Sequence, residues 1–579
     1  MAKIIIDGQP VECRDGISVL QAALEAGWDI PHYCYHPALS VVASCRLCLM
    51  EMKMPNPKTK EMDWAPKLIP SCQTPVRDGL EVRFDSDVVR NNQERVLEYY
   101  LINHPLDCPV CDKAGECYLQ DYNYQFGKAR SRMVDPKHKN PKKDIGPHTL
   151  LYQDRCVMCT RCVRFAQEIA GTSELCIVNR GNRAEIDIFP GHPLDNPLQG
   201  NVVDLCPVGS LLDKDFLFKQ RVWFMRKHAS ICRACSTGCA IFVDENEQRV
   251  YRLRPRYNPG VNDWWICDEG RFGWKFVHDE RRIARPRLRR GNQVESPAWE
   301  SIPAIVRHRL EQVVAQHGPG SVAVQLSPEL ACEEAWLLAS FVRSIAPEAA
   351  LAVGDVQLVG EDQRFPIGTA ASESQSSAPG AAPDSEPAQG GKPAAEQGDR
   401  SPVGSLPVLN GVKFIIHAEK NPNRRGIEAV LRGLGGNVIS REDLMARAGK
   451  GEFKAMWIAG GYPKPDWPTK ELVTAAGKTE FLVVQDTFEN GLTAAAHLVL
   501  PFCAWLEREG TFVNFQGRAQ PFERAINPPE GAMTDGQYLW AVAGYSGLYR
   551  AAKVRELMAA AVPELNDLHV PPDPPEHQH

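Results

Sequence analysis

Residues 104–117 read HPLDCPVCDKAGEC, four candidate ligands at the spacing His-x3-Cys-x2-Cys-x5-Cys. Alone, the stretch fits a zinc ion held by one histidine and three cysteines, an iron–sulfur cluster, or a histidine that merely ends the preceding helix. Its neighbours decide between these readings, and the fold with them. Three further groups of four cysteines flank it. The first is Cys34, Cys45, Cys48 and Cys72. The third is Cys156, Cys159 and Cys162 in CVMCTRC, with Cys206 in DLCPVG. The fourth is Cys232, Cys235 and Cys239 in CRACSTGC, with Cys267 in CDEGRFGW.

The 579 residues are 43% hydrophobic, enough for several domains with their own cores. A net charge of −6 and a pI of about 6.2 give no basic field, so nucleic acid is not an expected partner. No apolar run approaches the roughly 20 residues of a membrane-spanning helix. The opening MAKIIIDGQPVEC lacks the charged, apolar and small-residue pattern of a secretory signal. The expected location is therefore the cytoplasm or another reducing compartment. There, nineteen cysteines read as metal ligands rather than disulfides.

The spacings sharpen this. In the first group, Cys45-x2-Cys48 follows one upstream cysteine and precedes a remote fourth, the logic of plant-type [2Fe–2S] ferredoxins, although the step from Cys34 to Cys45 is longer than theirs; a zinc ribbon is the alternative. In the third, a bacterial ferredoxin would place a second-cluster ligand at residue 166, where this chain has Ala166, while Cys206-Pro207 can complete the first cluster. One [4Fe–4S] cluster on a base that ordinarily holds two is the expectation. The fourth group, C-x2-C-x3-C with a distant cysteine, suits another [4Fe–4S] cluster, with zinc again the alternative. Beside three iron–sulfur signatures, His104 reads as an iron ligand together with Cys108, Cys111 and Cys117. A neutral imidazole in place of a thiolate leaves that cluster less negative, which favours its reduction. Cys13, Cys332 and Cys503 read as buried free thiols. Cys176, in SELCIVN near the third group, is left unassigned.

Between these groups the chain reads as several small modules. KIIIDGQPVEC is a hairpin turning at Asp7-Gly8, and Ser18 caps the helix VLQAALEAG, which Gly27 ends. Residues 88–103 carry helical spacing and stop at His104-Pro105. After about 285, the short runs SVAVQLS (321–327), VKFIIH (412–417), AMWIAGG (455–461) and FLVVQD (481–486) alternate with helical stretches such as CEEAWLLASFVRSI and KELVTAAG, the pattern of a parallel α/β sheet. Residues 366–405, rich in Ser, Ala, Pro and Gly, are expected to be a disordered insert, as is the end, PPDPPEHQH.

In this order, the motifs resemble the large iron–sulfur subunits (G-type, 75 kDa type) of bacterial NADH:quinone oxidoreductase, respiratory complex I. The resemblance implies a multidomain α+β and α/β protein. A β-grasp [2Fe–2S] ferredoxin module (1–78) is followed by a one-His/three-Cys [4Fe–4S] module (79–118) and a ferredoxin-like one-cluster module (140–220). A molybdopterin-type [4Fe–4S] module (225–281) then leads into a shortened molybdopterin oxidoreductase-like α/β domain (282–546) and a tail (547–579). That last fold is carried by VVQDTFENGLTAAAHLVLPFCAWLEREGTFVNFQGRAQPF, 483–522. Catalytic relatives are much longer. No cysteine here stands as a molybdenum ligand, Cys332 being in a helical context, and Glu269 occupies a place where such relatives often carry lysine. One [2Fe–2S] and three [4Fe–4S] clusters, with no molybdenum or pterin, are therefore implied. Gly510, Asn514, Gly517 and Arg518 are expected to be structural.

The implied function is electron transfer from a flavin- and NADH-binding subunit toward quinone-site subunits, coupled by the whole complex to ion translocation. This chain would lie peripherally on the cytoplasmic side of the membrane and contact the membrane arm indirectly. It has no G-x-G-x-x-G after a strand to bind a nucleotide itself. Three modules are also similar to the N-terminal regions of [FeFe] hydrogenases and of NAD-linked hydrogenases and formate dehydrogenases. An electron-input subunit of a soluble NAD-linked hydrogenase or formate dehydrogenase is therefore the alternative.

Overall fold

The computed structural model describes residues 1–56, 58–367 and 411–572. The expected insert lies outside the described residues from 368 onward, and PPDPPEHQH does so from 573. Pro366 and Ile367 are described, and Ile367 N donates to Ala170 O at 3.0 Å, so the first two residues of the stretch 366–405 are anchored on the third module. Among the described residues no helix is long and apolar enough to cross a membrane.

The N-terminal module is a β-grasp. Strands Ala2–Ile6 and Gln9–Cys13 pair antiparallel about Asp7 and Gly8, whose positive φ angles of 48° and 78° suit a tight hairpin turn. Asp7 also closes the module. Its Oδ1 accepts from Phe84 N at 2.7 Å and its Oδ2 from Trp28 Nε1 at 3.0 Å, which seats Glu81–Arg83 parallel beside Ala2–Ile6. Strands Leu49–Pro55 and Met62–Trp64 complete the order outward. Ser18 caps Val19–Glu25 as its sequence predicts, through Gln21 N. The helix expected at 88–103 is Asp87–Leu101, capped by Ser86. At its C-terminal end, Lys137 Nζ reaches Leu101 O and Ile102 O at 2.6 and 3.0 Å, placing a cation where the last carbonyls are unsatisfied.

Two three-stranded antiparallel sheets follow. One orders Leu211–Asp213, Thr149–Tyr152 and Lys142–Asp144; the other orders Arg226–Ile231, Ala240–Asn246 and Arg249–Pro255. The β-grasp sheet has its own core, which holds Cys48 and Cys72, while a second continuous core joins its ligand loop to the following modules and includes Cys34, Cys117, Cys159, Cys206 and Cys232, candidates from all four groups.

The α/β domain is built on a seven-stranded sheet. Its order is Gln293–Glu295, Arg287–Arg290, Leu498–Pro501, Phe481–Asp486, Ala455–Ala459, Val322–Leu326 and Ala350–Val353, parallel from Leu498–Pro501 onward. Separate apolar cores cover its two faces. Three of the four expected strands stand in it. VKFIIH does not: Phe414–Ile416 pairs antiparallel with Gln363–Phe365, and Thr237 Oγ1 donates to Ile415 O. A short apolar run has no pattern that names its partner, and here the partner lies before residues 366–405. Ala350–Val353 and Leu498–Pro501 supply sheet strands the sequence did not single out. The segment from 547, expected as a tail, packs onto the domain: helix Ala551–Met558 buries Val554 and Met558, and Arg555 Nη1 pairs with Glu333 Oε1 at 2.6 Å.

Asp486, at the C-terminal end of its strand, is fully enclosed and accepts from four donors. These are Gly461 N and Thr487 N on Oδ1, at 3.0 and 2.8 Å, and Trp467 Nε1 and Asn490 Nδ2 on Oδ2, at 2.9 and 2.7 Å. Asp486→Ala strands several buried donors and should cost about 2–4 kcal/mol. Thermal unfolding should show this as a markedly lower Tm for the α/β domain.

Candidate iron–sulfur sites

The first group sits in the loop between helix Val19–Glu25 and strand Leu49–Pro55, with Cys72 just after Ile69–Pro70. All four thiols are buried. Cys34 Sγ lies 3.5 Å from Cys45 Sγ, and Tyr33 N points at Cys45 Sγ from 3.4 Å. Ala43 and Arg46, at φ 50° and 58°, bend the loop so that its cysteines face inward. Contact with Cys45 and Cys72 holds the Cys34 thiol far below its usual range, and contact with Cys72 lowers Cys48 to about 7. The same contacts raise Cys45 and Cys72, so the four sulfurs form one closely interacting set.

In the second group, Cys111 and Cys117 are buried, His104 is half-buried and Cys108 is exposed. The loop is clamped by the ferredoxin-like module. Arg155 Nη2 pairs with Asp107 Oδ2 at 2.7 Å, and Tyr118 N, one residue past Cys117, donates to Pro207 O at 2.9 Å. A Cβ on Gly209 would stand 2.3 Å from Cys111 Sγ, so only glycine leaves that sulfur its place. Burial, then the charges of Arg155 and Lys137, push His104 down to about 4. Its imidazole is neutral at pH 7, as a metal ligand must be.

The third group shows the fit most directly. Cys156, Cys159, Cys162 and Cys206 together line one small cavity, walled also by Leu151, Val157, Ile186, Pro207, Val208 and Leu211. Left-handed backbone at Met158 and Thr160, φ 50° and 61°, wraps the C-x2-C-x2-C run around it. Burial pushes Cys156 up to about 12 and Cys159 up to about 11. Ionising such thiols needs a compensating cation, which iron supplies. The four thiols of this group stand around one shared space, an arrangement that suits the ligands of a multi-iron cluster.

The fourth group is buried at Cys232, Cys235, Cys239 and Cys267. Cys232 N donates to Cys239 O at 2.8 Å, and Ala234 N and Gly270 N point at Cys232 Sγ and Cys267 Sγ from 3.5 and 3.4 Å. A Cβ on Gly270 would meet Cys232 Sγ at 2.8 Å. The CRACSTGC loop is held by the α/β domain from several sides. Arg233 forks onto Glu329 at 3.0 and 2.9 Å, Ser236 N donates to Glu419 O at 2.9 Å, and Gln520 Nε2 donates to Gly238 O at 3.0 Å. Glu269 is not alone: Lys420 Nζ pairs with its Oε2 at 2.6 Å.

The remaining cysteines lie apart from these groups. Cys13 and Cys503 are buried, and Cys332 is enclosed beside Asn423 Nδ2 at 3.5 Å. Half-buried Cys176 places its Sγ 3.5 Å from Asp187 O and does not line the third cavity. Asn514 braces its own turn, accepting from Gln516 N and Arg518 N, and donates to Thr237 O at 3.2 Å. A Cβ on Gly510 would collide with Ala331 Cβ at 2.4 Å, and Gly517 turns at φ 78°. Arg518 Nη1 lies 3.4 Å from His569 Nδ1. Arg155, Arg161, Arg164, Arg233 and Lys420 are the residues the sequence reading missed. The visible signal was the arginines standing between ligand cysteines in RCVMCTRCVRF and CRAC.

Family models match the modules in the same order. A 2Fe-2S iron-sulfur cluster binding domain covers residues 1–87, and the NADH-ubiquinone oxidoreductase-G iron-sulfur binding region covers 93–132. The ferredoxin-like domain of NADH-quinone oxidoreductase subunit 3 covers 146–212. The molybdopterin oxidoreductase Fe4S4 domain covers 225–279, and molybdopterin oxidoreductase covers 397–545. The G-type subunit of NADH-quinone oxidoreductase from Rickettsia bellii is 35% identical over 345 residues, 60% of this chain and 48% of its own length. The chain is related to the G-type subunit of NADH-quinone oxidoreductase. The mitochondrial NADH dehydrogenase [ubiquinone] iron-sulfur protein 1 of Solanum tuberosum is 37% identical over 56% of this chain and 42% of its own length. The chain thus spans about half the length of the curated relatives it matches. A solved NAD+-reducing [NiFe]-hydrogenase chain is 28% identical, covering 38% of this chain and 91% of itself with a TM-score of 0.34. The expected resemblance to the large iron–sulfur subunits and the expected series of fold modules are both borne out.

Two substitutions test the second site. Gly209→Ala should displace Cys111 and remove the second cluster's EPR signal while the other signals persist. His104→Cys should keep a cluster of lower reduction potential, because one negative charge is added. Redox titration followed by EPR reads both outcomes.

Proposed function

We propose that this chain is an electron-carrying iron–sulfur subunit of an NADH:quinone oxidoreductase, linking a flavin- and NADH-binding subunit to quinone-site subunits. The observation that carries the reading is the run of four ligand groups, most of their cysteines buried and each group contributing to one shared core, matched in order by iron–sulfur family models. Cys34, Cys45, Cys48 and Cys72 hold a [2Fe–2S] cluster. His104, Cys108, Cys111 and Cys117 hold a [4Fe–4S] cluster, as do Cys156, Cys159, Cys162 and Cys206, and Cys232, Cys235, Cys239 and Cys267. When bound, these clusters supply one-electron carriers along the subunit.

The chain's own part is to keep the carriers close, dry and tuned. The shared core fixes the distances between the ligand loops. Glycines at 209 and 270 let backbone approach the sulfurs. Backbone N–H groups aimed at Cys45, Cys232 and Cys267 stabilise thiolate charge. The modules divide near 1–78, 79–118, 140–220, 225–281 and 282–546. The α/β domain carries no molybdenum or pterin, and it braces the fourth ligand loop. The subunit sits peripherally on the cytoplasmic side of the membrane, within a complex that couples quinone reduction to ion translocation.

The full chain, reconstituted anaerobically, should bind about fourteen iron atoms with matching sulfide and no stoichiometric molybdenum or tungsten. Zinc in place of four of those irons would remove one cluster from the reading. Cys235→Ala should lower yield and depress the Tm of the α/β domain by several degrees, because cluster binding there is also folding energy. An unchanged Tm would show that the fourth loop is held by its protein contacts alone. In the assembled complex, Cys159→Ala should abolish electron transfer from NADH to quinone while flavin-dependent reduction of an artificial acceptor continues.

A further inference from the structure

Seven arginines among the described residues are buried, and five of them meet a carboxylate: Arg155, Arg254, Arg271, Arg282 and Arg508. The other two, Arg161 and Arg164, are 4% and 5% exposed, and among the described residues no carboxylate stands within ion-pair distance of either. A buried cation without a counter-charge is strongly unfavourable, so its partner has to be sought.

Both guanidiniums touch the backbone of the ligand loops. Arg164 Nη2 donates to Cys34 O at 2.5 Å and to Cys159 O at 3.2 Å, and its Nη1 donates to Ser40 O. Arg161 Nη2 donates to Tyr35 O at 2.5 Å and its Nη1 to Leu205 O at 3.4 Å, the carbonyl preceding Cys206. Each side chain therefore spans from the first ligand group to the third. Glu168 is the nearest acid in sequence, but its oxygens are taken by Ser40 N and Ser40 Oγ. Arg161 also lines the cavity around Cys156, Cys159, Cys162 and Cys206. The counter-charge is therefore sought at the ligand sulfurs, whose loops both guanidiniums hold.

We propose that Arg161 and Arg164 are the shared counter-ions of the first and third iron–sulfur clusters, one cationic bridge that raises the reduction potential of both. The inference rests on the ligand reading given above. A cluster held by four thiolates is anionic, and each added electron deepens that charge, so a fixed cation nearby favours the reduced form. A guanidinium keeps its proton at any pH the protein tolerates, which makes the bridge insensitive to pH. These are positioning residues: they act on the clusters through charge and through the carbonyls of the ligand loops.

The test is an EPR-monitored redox titration of the reconstituted full chain. Arg164→Gln should lower the potentials of the first and third clusters together and leave the second and fourth in place. Arg164→Lys should restore most of the loss. Glu168→Gln removes a nearby negative charge and should raise the same two potentials, a reversal of sign that a merely structural role would not produce. Unmoved potentials in Arg164→Gln, or an equal shift in all four clusters, would overturn the bridge. If Arg164→Gln fails to hold its clusters, Glu168→Gln decides, and unchanged or lowered potentials there would also overturn it. Wild-type protein lacking either signal would remove the ligand reading itself, whereas intact signals at fixed potentials remove only the bridge.

Discussion

Most of the fifteen cysteines and one histidine proposed as iron ligands are gathered where water is scarce, and in that role the cysteines would carry negative charge there. That constraint explains much of what surrounds them. Backbone N–H groups face sulfur, arginines lie between ligand positions, and glycines stand where any side chain would push a sulfur aside. The continuous core that joins the ligand loops is the mechanical side of the same constraint, because carriers have to stay at fixed spacing in a dry medium.

The α/β domain solves a different problem. Its helix Cys332–Ile345 is fastened to the hairpin Gly510–Val513 and Ala519–Phe522 by buried polar groups. Arg508 pairs with Glu334, and Thr511 donates its N and Oγ1 to Glu333 at 2.9 and 2.7 Å. Such buried pairs add little net stability over apolar packing, but breaking one is costly, so they fix one arrangement against its alternatives. The same wall reaches the fourth ligand loop through Glu329 and Arg233. A domain without a readable active site still has a physical task here, which is to hold that loop in place.

The second site differs from the others in its environment. Cys108 is exposed while its partners are buried, and His104 is kept neutral by burial and by two neighbouring cations. The loop owes its position to the ferredoxin-like module, through Arg155 and Gly209, more than to its own helix. Two modules that look separate in sequence are therefore one unit around these ligands.

The sequence by itself determined the grouping of the cysteines, the module order and the local devices: the Asp7-Gly8 turn and the cap at Ser18. Each is set within a few residues, by sulfur spacing, φ preference or hydrogen bonds to adjacent backbone, so it can be read along the chain. Tertiary structure alone decided that VKFIIH pairs with Gln363–Phe365 rather than joining the main sheet, that Lys420 meets Glu269, and that the segment from 547 packs as a helix. It also decided that Arg161 and Arg164 reach backbone of the first ligand group, more than a hundred residues away along the chain. A charge or a strand edge takes its partner from whatever the packed chain brings near, and no local pattern encodes that.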